Sequence, residues 1–127
     1  MKYVGHFDPR ELPGAHRAMG GHLEGFTIAF MVDRALGAHH LVMFIVQFAP
    51  GGRCDAHDHP FEEAYFVLEG EVVLTLAGRE HRLGPGDYAW SGVGTPHGFR
   101  NEGRVPVRWL EVQAPAPPPA GMIRFLD

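Results

Sequence analysis

The chain has 127 residues, 45% of them hydrophobic, so it can form one domain with a hydrophobic core, and intrinsic disorder is excluded for most of its length. Its 11 basic and 15 acidic residues give a net charge of −4, and the basic excess that nucleic-acid or anionic-membrane binding requires is absent. We therefore expect no nucleic-acid partner and no membrane partner. A single cysteine excludes an intrachain disulfide framework and favours a reducing compartment.

The first 25 residues are polar and interrupted by proline and glycine, and we interpret them as an N-terminal arm with one short helical turn over residues 11–19. The opening residues lack the apolar stretch of a secretory signal. The longest apolar run, residues 41–46, is far too short to span a bilayer. These features predict a soluble, cytoplasmic protein.

From residue 26 onward, β-rich segments alternate with turn signals. The predicted strands cover residues 26–32, 41–48, 64–68, 72–77, 80–83, 88–90, 97–101 and 105–113. We expect the second strand to close at Pro50-Gly51-Gly52, and the third and fourth to lie around a tight turn that carries Gly70. Turns at intervals of roughly 8–12 residues are typical of a β-sandwich or barrel.

After the last predicted strand, the chain becomes rich in proline. Residues 115–119 predict a stiff, polyproline-like segment, and residues 122–126 are apolar enough to dock on the surface of the barrel or on a partner chain. The predicted organisation is an arm over residues 1–25, a barrel over 26–113 and a Pro-rich tail over 114–127.

Among the nine histidines, three have a spacing that points to chemistry. His57 and His59 share a face if they lie on a strand, so their imidazoles can reach one ion. Glu63 begins the next strand and can approach the same point, whereas Glu62 would face the opposite side. His97 begins a later strand. The alternative is that these are ordinary strand and turn histidines, as we expect for the surface histidines at positions 6, 16, 22, 39, 40 and 81.

The two segments that carry these residues resemble the two motifs of the cupins, and the chain resembles a small single-domain cupin. The first cupin motif, G-x5-H-x-H-x3,4-E-x6-G, is matched by Gly51, His57, His59, Glu63 and Gly70. The second, G-x5-P-x-G-x2-H-x3-N, is matched by Gly86, Gly94, His97 and Asn101. One departure is Gly92, which stands where the family has proline and affects a turn rather than a ligand.

The resemblance implies an all-β jelly-roll barrel (a double-stranded β-helix) with a swapped or docked N-terminal arm. It further implies that one divalent transition metal ion is bound by His57, His59, Glu63 and His97. Three imidazoles and one carboxylate suit Fe, Mn, Ni, Co, Cu or Zn, and metal availability rather than raw affinity decides among these metals. Small barrels have open sheet edges and apolar outer faces, so we expect a homodimer, as the resemblance also implies.

Strand parity suggests further residues for the site. Tyr65 and Gln47 are candidate catalytic residues that would orient a substrate or move protons. The candidate substrate-pocket residues are Met43, Phe99, Trp90, Trp109 and Arg53, with Met31 as an additional wall. The alternative for the aromatic residues is an ordinary barrel core. Cys54 has the opposite parity to His57, which favours a packed, inert thiol over a nucleophile.

Two classes of function are consistent with these features. In the first, the protein is a metal-dependent enzyme acting on a small organic molecule: an oxidoreductase of the dioxygenase type is the leading hypothesis, and isomerase, decarboxylase, lyase or cyclase chemistry is the alternative. In the second, the barrel binds a metal and a small ligand without turnover. No pair of helices for DNA binding is predicted, so a stand-alone regulator is disfavoured.

Overall fold

The structure is a computed structural model that describes residues 2–12, 17–19, 21–116 and 123–126. The described residues form one short 3-10 helix, Pro9–Glu11, and ten strands: β1 (Arg17–Met19), β2 (Leu23–Val32), β3 (Val42–Asp58), β4 (Glu62–Glu69), β5 (Val72–Leu76), β6 (Arg79–Leu83), β7 (Tyr88–Ser91), β8 (His97–Arg100), β9 (Val107–Ala114) and β10 (Arg124–Phe125). Within these ranges, no helix has the length and apolar character needed to cross a bilayer.

All the strand pairs are antiparallel and together form a jelly-roll barrel, which confirms the predicted all-β fold. The strands follow the order β6-β5-β8-β3-β9-β4-β7, with β2 and β10 also paired to β3 and β1 paired to β2. The first half of β3 pairs with β2 and β9, and its second half pairs with β8, β10 and the beginning of β2. One long strand therefore contacts four other strands and connects them into one barrel.

The continuation of β3 beyond Phe48 differs from the predicted end of this strand at residues 50–52. Gly51 has a φ of +82°, and a Cβ on Gly52 would lie only 2.8 Å from the carbonyl oxygen of Gly25. The backbone of Asn101 accepts from the N–H of Gly51 at 2.9 Å and donates to the oxygen of Gly52 at 2.8 Å. Because these polar groups stay paired, the glycines bend the strand instead of ending it.

The prediction of two neighbouring strands around Gly70 is correct in position, but the strands do not form a hairpin. β4 pairs with β7 and β9, whereas β5 pairs with β6 and β8. Gly70 has a φ of +75°, and a Cβ there would lie 2.8 Å from the Cα of Val107. The turn thus connects two strands that pair with different neighbours, at a point with no room for a side chain.

The terminal segments contribute strands that the sequence did not predict. Within the range predicted as a helical turn, residues 13–16 lie outside the described residues, and β1 replaces helix over residues 17–19. In the tail, residues 117–122 also lie outside them, so the polyproline prediction is not tested there. Residues 124–125 pair with β3 as β10, so this part of the tail docks on its own barrel, as one of the two predicted outcomes stated.

The inward-facing side chains fill the barrel with a core of apolar and aromatic residues. β4 shows the alternation most clearly, because its residues are buried at every second position. The buried core cluster consists of Phe26, Val42, Phe44, Val46, Phe48, Tyr65, Val67, Val72, Leu74, Phe99, Val107, Trp109 and Ala116. Towards one end of the barrel this core gives way to the buried polar residues described next.

Candidate metal centre

The four residues predicted as metal ligands come together at one buried point. The pairing of β3 with β8 places His57 directly opposite His97, and the N–H of Gly94 donates to the oxygen of His59 at 3.0 Å, which ties the two motif segments together. Glu63 enters from β4. All four side chains are buried, and one potential ligand atom from each lies within 4.8 Å of the others.

The three imidazoles have their Nδ1 atoms held by backbone carbonyls. These atoms donate to the oxygens of Asp55 at 2.8 Å from His57, Phe61 at 2.9 Å from His59, and Thr95 at 2.8 Å from His97. A carbonyl can only accept, so each Nδ1 must carry a hydrogen, and Nε2 is left as the nitrogen that faces the other three residues. Nε2 has a free lone pair where the ring is neutral and carries a second hydrogen where the ring is charged. The structure therefore presets three rings to offer Nε2 as a ligand atom, which is the arrangement found around protein-bound metals.

The carboxylate of Glu63 is surrounded by hydrogen-bonding groups. Its Oε1 lies 3.0 Å from Nε2 of His59 and 2.8 Å from Nε2 of His97, and it accepts from the hydroxyl of Tyr65 at 2.8 Å. The amide of Gln113 donates to its Oε2 at 2.5 Å. Burial acts to raise the pKa of Glu63, but hydrogen bonds with Glu111, His59 and His97 hold that pKa well below its usual range. The group is thus an ionised carboxylate in a buried site.

The histidines differ in how their surroundings act on them. Burial, followed by the charge of His97, lowers the pKa of His57 to about 4. Burial acts in the same direction on His59, but its hydrogen bond to Glu63 and the charge of Glu63 leave the pKa of His59 above its usual value. At neutral pH, His57 is therefore a neutral imidazole, which is the form that binds a metal.

These four side chains could hold a metal ion. Donor atoms around one ion at about 2.1 Å are separated by no more than about 4 Å, close to the spread seen here. A divalent cation would also compensate the buried charge of Glu63 and occupy the three preset Nε2 lone pairs. Nitrogen and carboxylate donors of this kind suit several first-row transition metals.

A cavity of about 460 Å³ opens beside this cluster. Its aromatic wall is formed by Phe26, Phe44, Phe48, Phe99, Trp109 and Phe125, and its aliphatic wall by Leu23, Ile28, Val46 and Ile123. Besides His57 and Glu63, the polar side chains that line it are Cys54, Glu111 and Gln113. An apolar cavity of this size with few polar groups is typical of a site for a small organic molecule.

Three of the other predicted residues lie at this site. Phe99 and Trp109 line the cavity and stack on each other with a centroid separation of 4.7 Å. Tyr65 packs behind Glu63, where its hydroxyl also lies 3.0 Å from the hydroxyl of Ser91. Burial raises the pKa of Tyr65 well above its usual range, and the charge of Glu63 adds to this effect. Tyr65 is therefore a neutral phenol that holds Glu63 in place.

Gln47 and Met43 do not line the cavity, which corrects their assignment as catalytic and pocket residues. They alternate along β3 with the cavity-lining residues Phe44, Val46 and Phe48, and so belong to the opposite face. Met43 and Met31 line a different cavity of about 320 Å³ against the N-terminal arm. Both faces of this strand are largely apolar, so parity alone could not identify the inner one.

Trp90 and Arg53 also lie away from the cavity. The side chain of Trp90 is 60% exposed, and its indole N–H donates to Glu62 at 3.0 Å. Arg53 pairs with Asp55 at 2.5 Å and donates to the oxygen of Gly21 at 2.7 Å. The register of β3 shifts between Cys54 and His57, so residues separated by an even number of positions across this bulge no longer share a face.

The same shift explains the position of Cys54, which lines the cavity with its Sγ 3.5 Å from Nδ1 of His57. Burial raises the pKa of the Cys54 thiol far above its usual range, so the thiol stays protonated, as expected for a packed cysteine. His22 departs from the predicted surface role, because its ring stacks on Phe125 with a centroid separation of 4.4 Å and lies 3.3 Å from Asp55. The other histidines predicted to be at the surface lie at positions 6, 39, 40 and 81, which are exposed, and at position 16, which is outside the described residues.

Sequence reasoning missed Glu111 and Gln113. Both follow Trp109 at alternate positions of β9, so the parity that selected Trp109 would also have selected them. The indole N–H of Trp109 donates to Oε1 of Glu111 at 2.9 Å. Burial and the charge of Glu63 raise the pKa of Glu111 well above its usual range.

Comparisons with known proteins agree with this architecture. Residues 44–113 match the model of the family described as cupin domain. The chain is 30% identical over 95 residues, 74% of its length, to the tetracenomycin polyketide synthase protein TcmJ of Streptomyces glaucescens. It is 40% identical over 62 residues, 46% of its length, to quercetin 2,3-dioxygenase of Bacillus subtilis. It spans 64% of the first relative's length and 18% of the second's.

Among solved structures, the polyketide cyclase RemF from Streptomyces resistomycificus is similar over 98% of this chain and 87% of its own. The TM-score is 0.80 and the sequence identity is 26%. A predicted oxalate decarboxylase from Thermotoga maritima shares the fold with a TM-score of 0.73 over 84% of this chain and 96% of its own, at 21% identity.

Proposed function

The chain belongs to the cupin family, whose domain model covers residues 44–113, and we propose that it is a metal-dependent enzyme acting on an oxygen-bearing aromatic molecule of the polyketide type. The proposed reaction is a ring closure without net oxidation. A bond forms between a nucleophilic enol carbon and a carbonyl carbon, and the former carbonyl oxygen leaves as one molecule of water. The observation that carries the proposal is the direct connection of the buried histidine and glutamate cluster to an aromatic-lined cavity.

Each part of the site has a role in this proposal. His57, His59, Glu63 and His97 would hold a divalent transition metal ion, which supplies Lewis-acid polarisation of a carbonyl oxygen. The flat rings of the cavity wall orient an aromatic substrate and exclude water. We assign Glu111 and Gln113 to hold a substrate oxygen, because they provide side-chain oxygen and nitrogen atoms to the cavity wall beyond the proposed ligands. Tyr65 is a positioning residue that acts through Glu63.

The relatives support ring closure over the dioxygenase that the sequence favoured. Similarity to the polyketide cyclase RemF extends over 98% of the chain. The match to TcmJ, a polyketide synthase protein, covers 74% of the chain and supports a substrate of the polyketide type. The match to quercetin 2,3-dioxygenase covers 46% of the chain. Dioxygenase chemistry is therefore the second candidate.

The test separates these reactions by their need for oxygen. The protein, purified without a metal-affinity tag, is analysed for bound metal and then incubated with a naphthol that carries a β-diketone side chain, in air and under anaerobic gas. We expect the same product in both atmospheres, lighter than the substrate by one water. A product that forms only in air and contains both atoms of dioxygen would replace the proposal with the dioxygenase. Saturable binding without turnover would replace it with a non-catalytic binding module.

The metal assignment is tested by paired substitutions. We expect the double change His57→Ala and His97→Ala to abolish metal binding and turnover, because half of the proposed ligands are removed. The matched control is His39→Ala with His40→Ala, an exposed pair outside the site, and it should retain both properties. Unchanged metal content in the first variant would contradict the site assignment.

The proposed assembly is a homodimer. The outer face of β4 and β7 exposes Phe66, Tyr88 and Trp90, with exposed fractions of 44%, 77% and 60%. Exposed apolar groups on one sheet face support association through that face. Light scattering coupled to gel filtration should give twice the mass of one chain, and Trp90→Glu should shift it to the mass of one chain. A single-chain mass for the unmodified protein would contradict the dimer.

A further inference from the structure

The C-terminal strand β10 forms one wall of the cavity. Ile123 and Phe125 both line it, and the intervening residue, Arg124, has a side chain that is 75% exposed. This alternation is the one expected of a strand with one face towards the cavity and the other towards solvent. A segment more than 60 residues away in the sequence from the histidines of the first motif is thus part of the same site.

The segment is fastened to β3 beside the proposed metal ligands. Arg124 pairs in register with Asp58 and Phe125 with His57, and the N–H of Leu126 donates to the oxygen of Ala56 at 2.9 Å. The guanidinium of Arg124 donates to Oδ1 of Asp58 at 3.0 Å and to Oδ2 at 2.5 Å. A two-residue strand makes few backbone hydrogen bonds, so this bidentate pair is a large part of what holds it.

Phe125 lines the cavity next to the proposed metal centre. Its ring centroid lies 5.4 Å from that of His57 and 4.4 Å from that of His22, to which it is nearly parallel with an interplanar angle of 13°. A ligand that extends from the metal centre along this side of the cavity therefore contacts Phe125.

We infer that residues 123–126 determine substrate size: Phe125 and Ile123 limit how many fused rings the cavity admits, and the Arg124–Asp58 pair holds this wall in place. The ligand class is a flat hydroxylated aromatic, since the wall is aromatic and polar side chains lie near the ligand cluster. The inference rests on the proposed function in one respect, namely that this cavity is where the substrate lies.

The test measures binding, so it does not depend on turnover. The probes are catechol, which has one ring, 1,8-dihydroxynaphthalene, which has two fused rings, and 1,8-dihydroxyanthraquinone, which has three. The protein is loaded with zinc, which is redox-inert. The chain has two tryptophans, and Trp109 lines the cavity whereas Trp90 is 60% exposed. A Trp90→Phe background therefore leaves Trp109 as the fluorescent reporter of binding.

The expected result is a change in size preference. Phe125→Ala should shift the ratio of the dissociation constants of the three-ring and two-ring probes by about tenfold in favour of the larger probe, because it removes one stacking ring and opens space. Phe66→Ala, the same substitution at a phenylalanine exposed on β4, should leave the ratio unchanged. Arg124→Ala should shift it in the same direction as Phe125→Ala.

The matched control for Arg124 is Arg10→Ala, because the guanidinium of Arg10 donates to both Oδ1 and Oδ2 of Asp8 in the N-terminal arm, a similar bidentate pair. Zinc content is measured for every variant. The inference is overturned if Phe125→Ala changes the ratio by less than about twofold, the factor within which near-neutral contacts fall. It is also overturned if the unmodified protein binds none of the probes, or if Phe125→Ala loses zinc. A ratio that shifts in a protein that catalyses no ring closure would instead sustain this inference while contradicting the proposed reaction.

Discussion

Replacing Tyr65 with phenylalanine isolates the contribution of one hydroxyl to the buried site. The substitution preserves the ring, which is 2% exposed, and removes the hydrogen bond to Oε1 of Glu63 and the contact with Ser91. A hydrogen bond to a charged group contributes about 1.5–3 kcal/mol and one between neutral groups about 1 kcal/mol. Because Glu63 keeps its other partners, we expect the free energy of unfolding of the metal-free protein to fall by about 3 kcal/mol.

This change should be large enough to measure in thermal unfolding. An unfolding entropy of about 2.1 cal/mol/K per residue gives about 0.27 kcal/mol/K for the 127 residues. A loss of 3 kcal/mol then lowers Tm by about 10 °C. The same substitution should weaken metal binding by about 10–100-fold, as is typical when a hydrogen-bond partner of a metal ligand is removed.

The assay is urea and thermal denaturation of the metal-free protein, with isothermal titration of the metal. The matched control is Tyr3→Phe, because Tyr3 is 62% exposed in the N-terminal arm and lies outside the proposed dimer face, and this change should alter stability by less than about 0.5 kcal/mol. A destabilisation below about 1 kcal/mol for Tyr65→Phe, together with unchanged metal affinity, would refute the conclusion that Tyr65 positions Glu63.

Three further predictions concern stability. Burial, with the charge of His97, lowers the pKa of His57 to about 4 in the folded protein, against about 6.5 when unfolded. As the pH falls, the unfolded chain therefore gains a proton on this histidine before the folded protein does. Acidification of the metal-free protein from pH 7 to pH 4 should thus lower its free energy of unfolding by up to about 3 kcal/mol. His57→Gln should lack this loss, so parallel pH profiles of the two proteins would contradict the prediction. Asn101→Ala removes side-chain hydrogen bonds to two backbone carbonyls and to the N–H of Gly103, and should lower the free energy of unfolding measured in urea by about 2–3 kcal/mol. A loss under about 1 kcal/mol would contradict the conclusion that these hydrogen bonds stabilise the fold. Gly70 and Gly78 have similar φ angles of +75° and +80°, but of the two only Gly70 lies where backbone atoms would crowd a Cβ. Gly70→Ala should therefore lower the free energy of unfolding clearly more than Gly78→Ala, and equal losses would contradict the crowding.

Much of the fold was predictable because the chain combines local turn chemistry with alternating burial. The predicted strands from residue 64 to 113 each overlap an observed one, β4 to β9, and the turn at Gly78 joins β5 to β6. The prediction was wrong where glycines have a tertiary role. Gly51 and Gly52 let β3 continue past residue 50 in close contact with Gly25, and Gly70 connects two strands that pair with different neighbours.

The convergence of His57, His59, Glu63 and His97 was predictable because motif spacing on paired strands brings their side chains to one point. The rest of the predicted site was partly wrong. Gln47 and Met43 lie on the face of β3 that points away from the cavity. Arg53 does not share a face with His57, because the register of β3 shifts between Cys54 and His57. Glu111 and Gln113 were not predicted, although they alternate with Trp109 along the same strand and this pattern places them on its face.

By itself, the sequence determined the strand periodicity of an all-β fold, because this depends on residue types at short, regular intervals. The match of its two segments to the cupin motifs then implied the barrel and the candidate ligand set. Only the tertiary structure decided which face of β3 looks into the cavity, since both faces are apolar and a register shift is not visible as a pattern. It also decided that Phe125 meets His57, because two sheet-paired residues far apart in the chain carry no local signal of their contact.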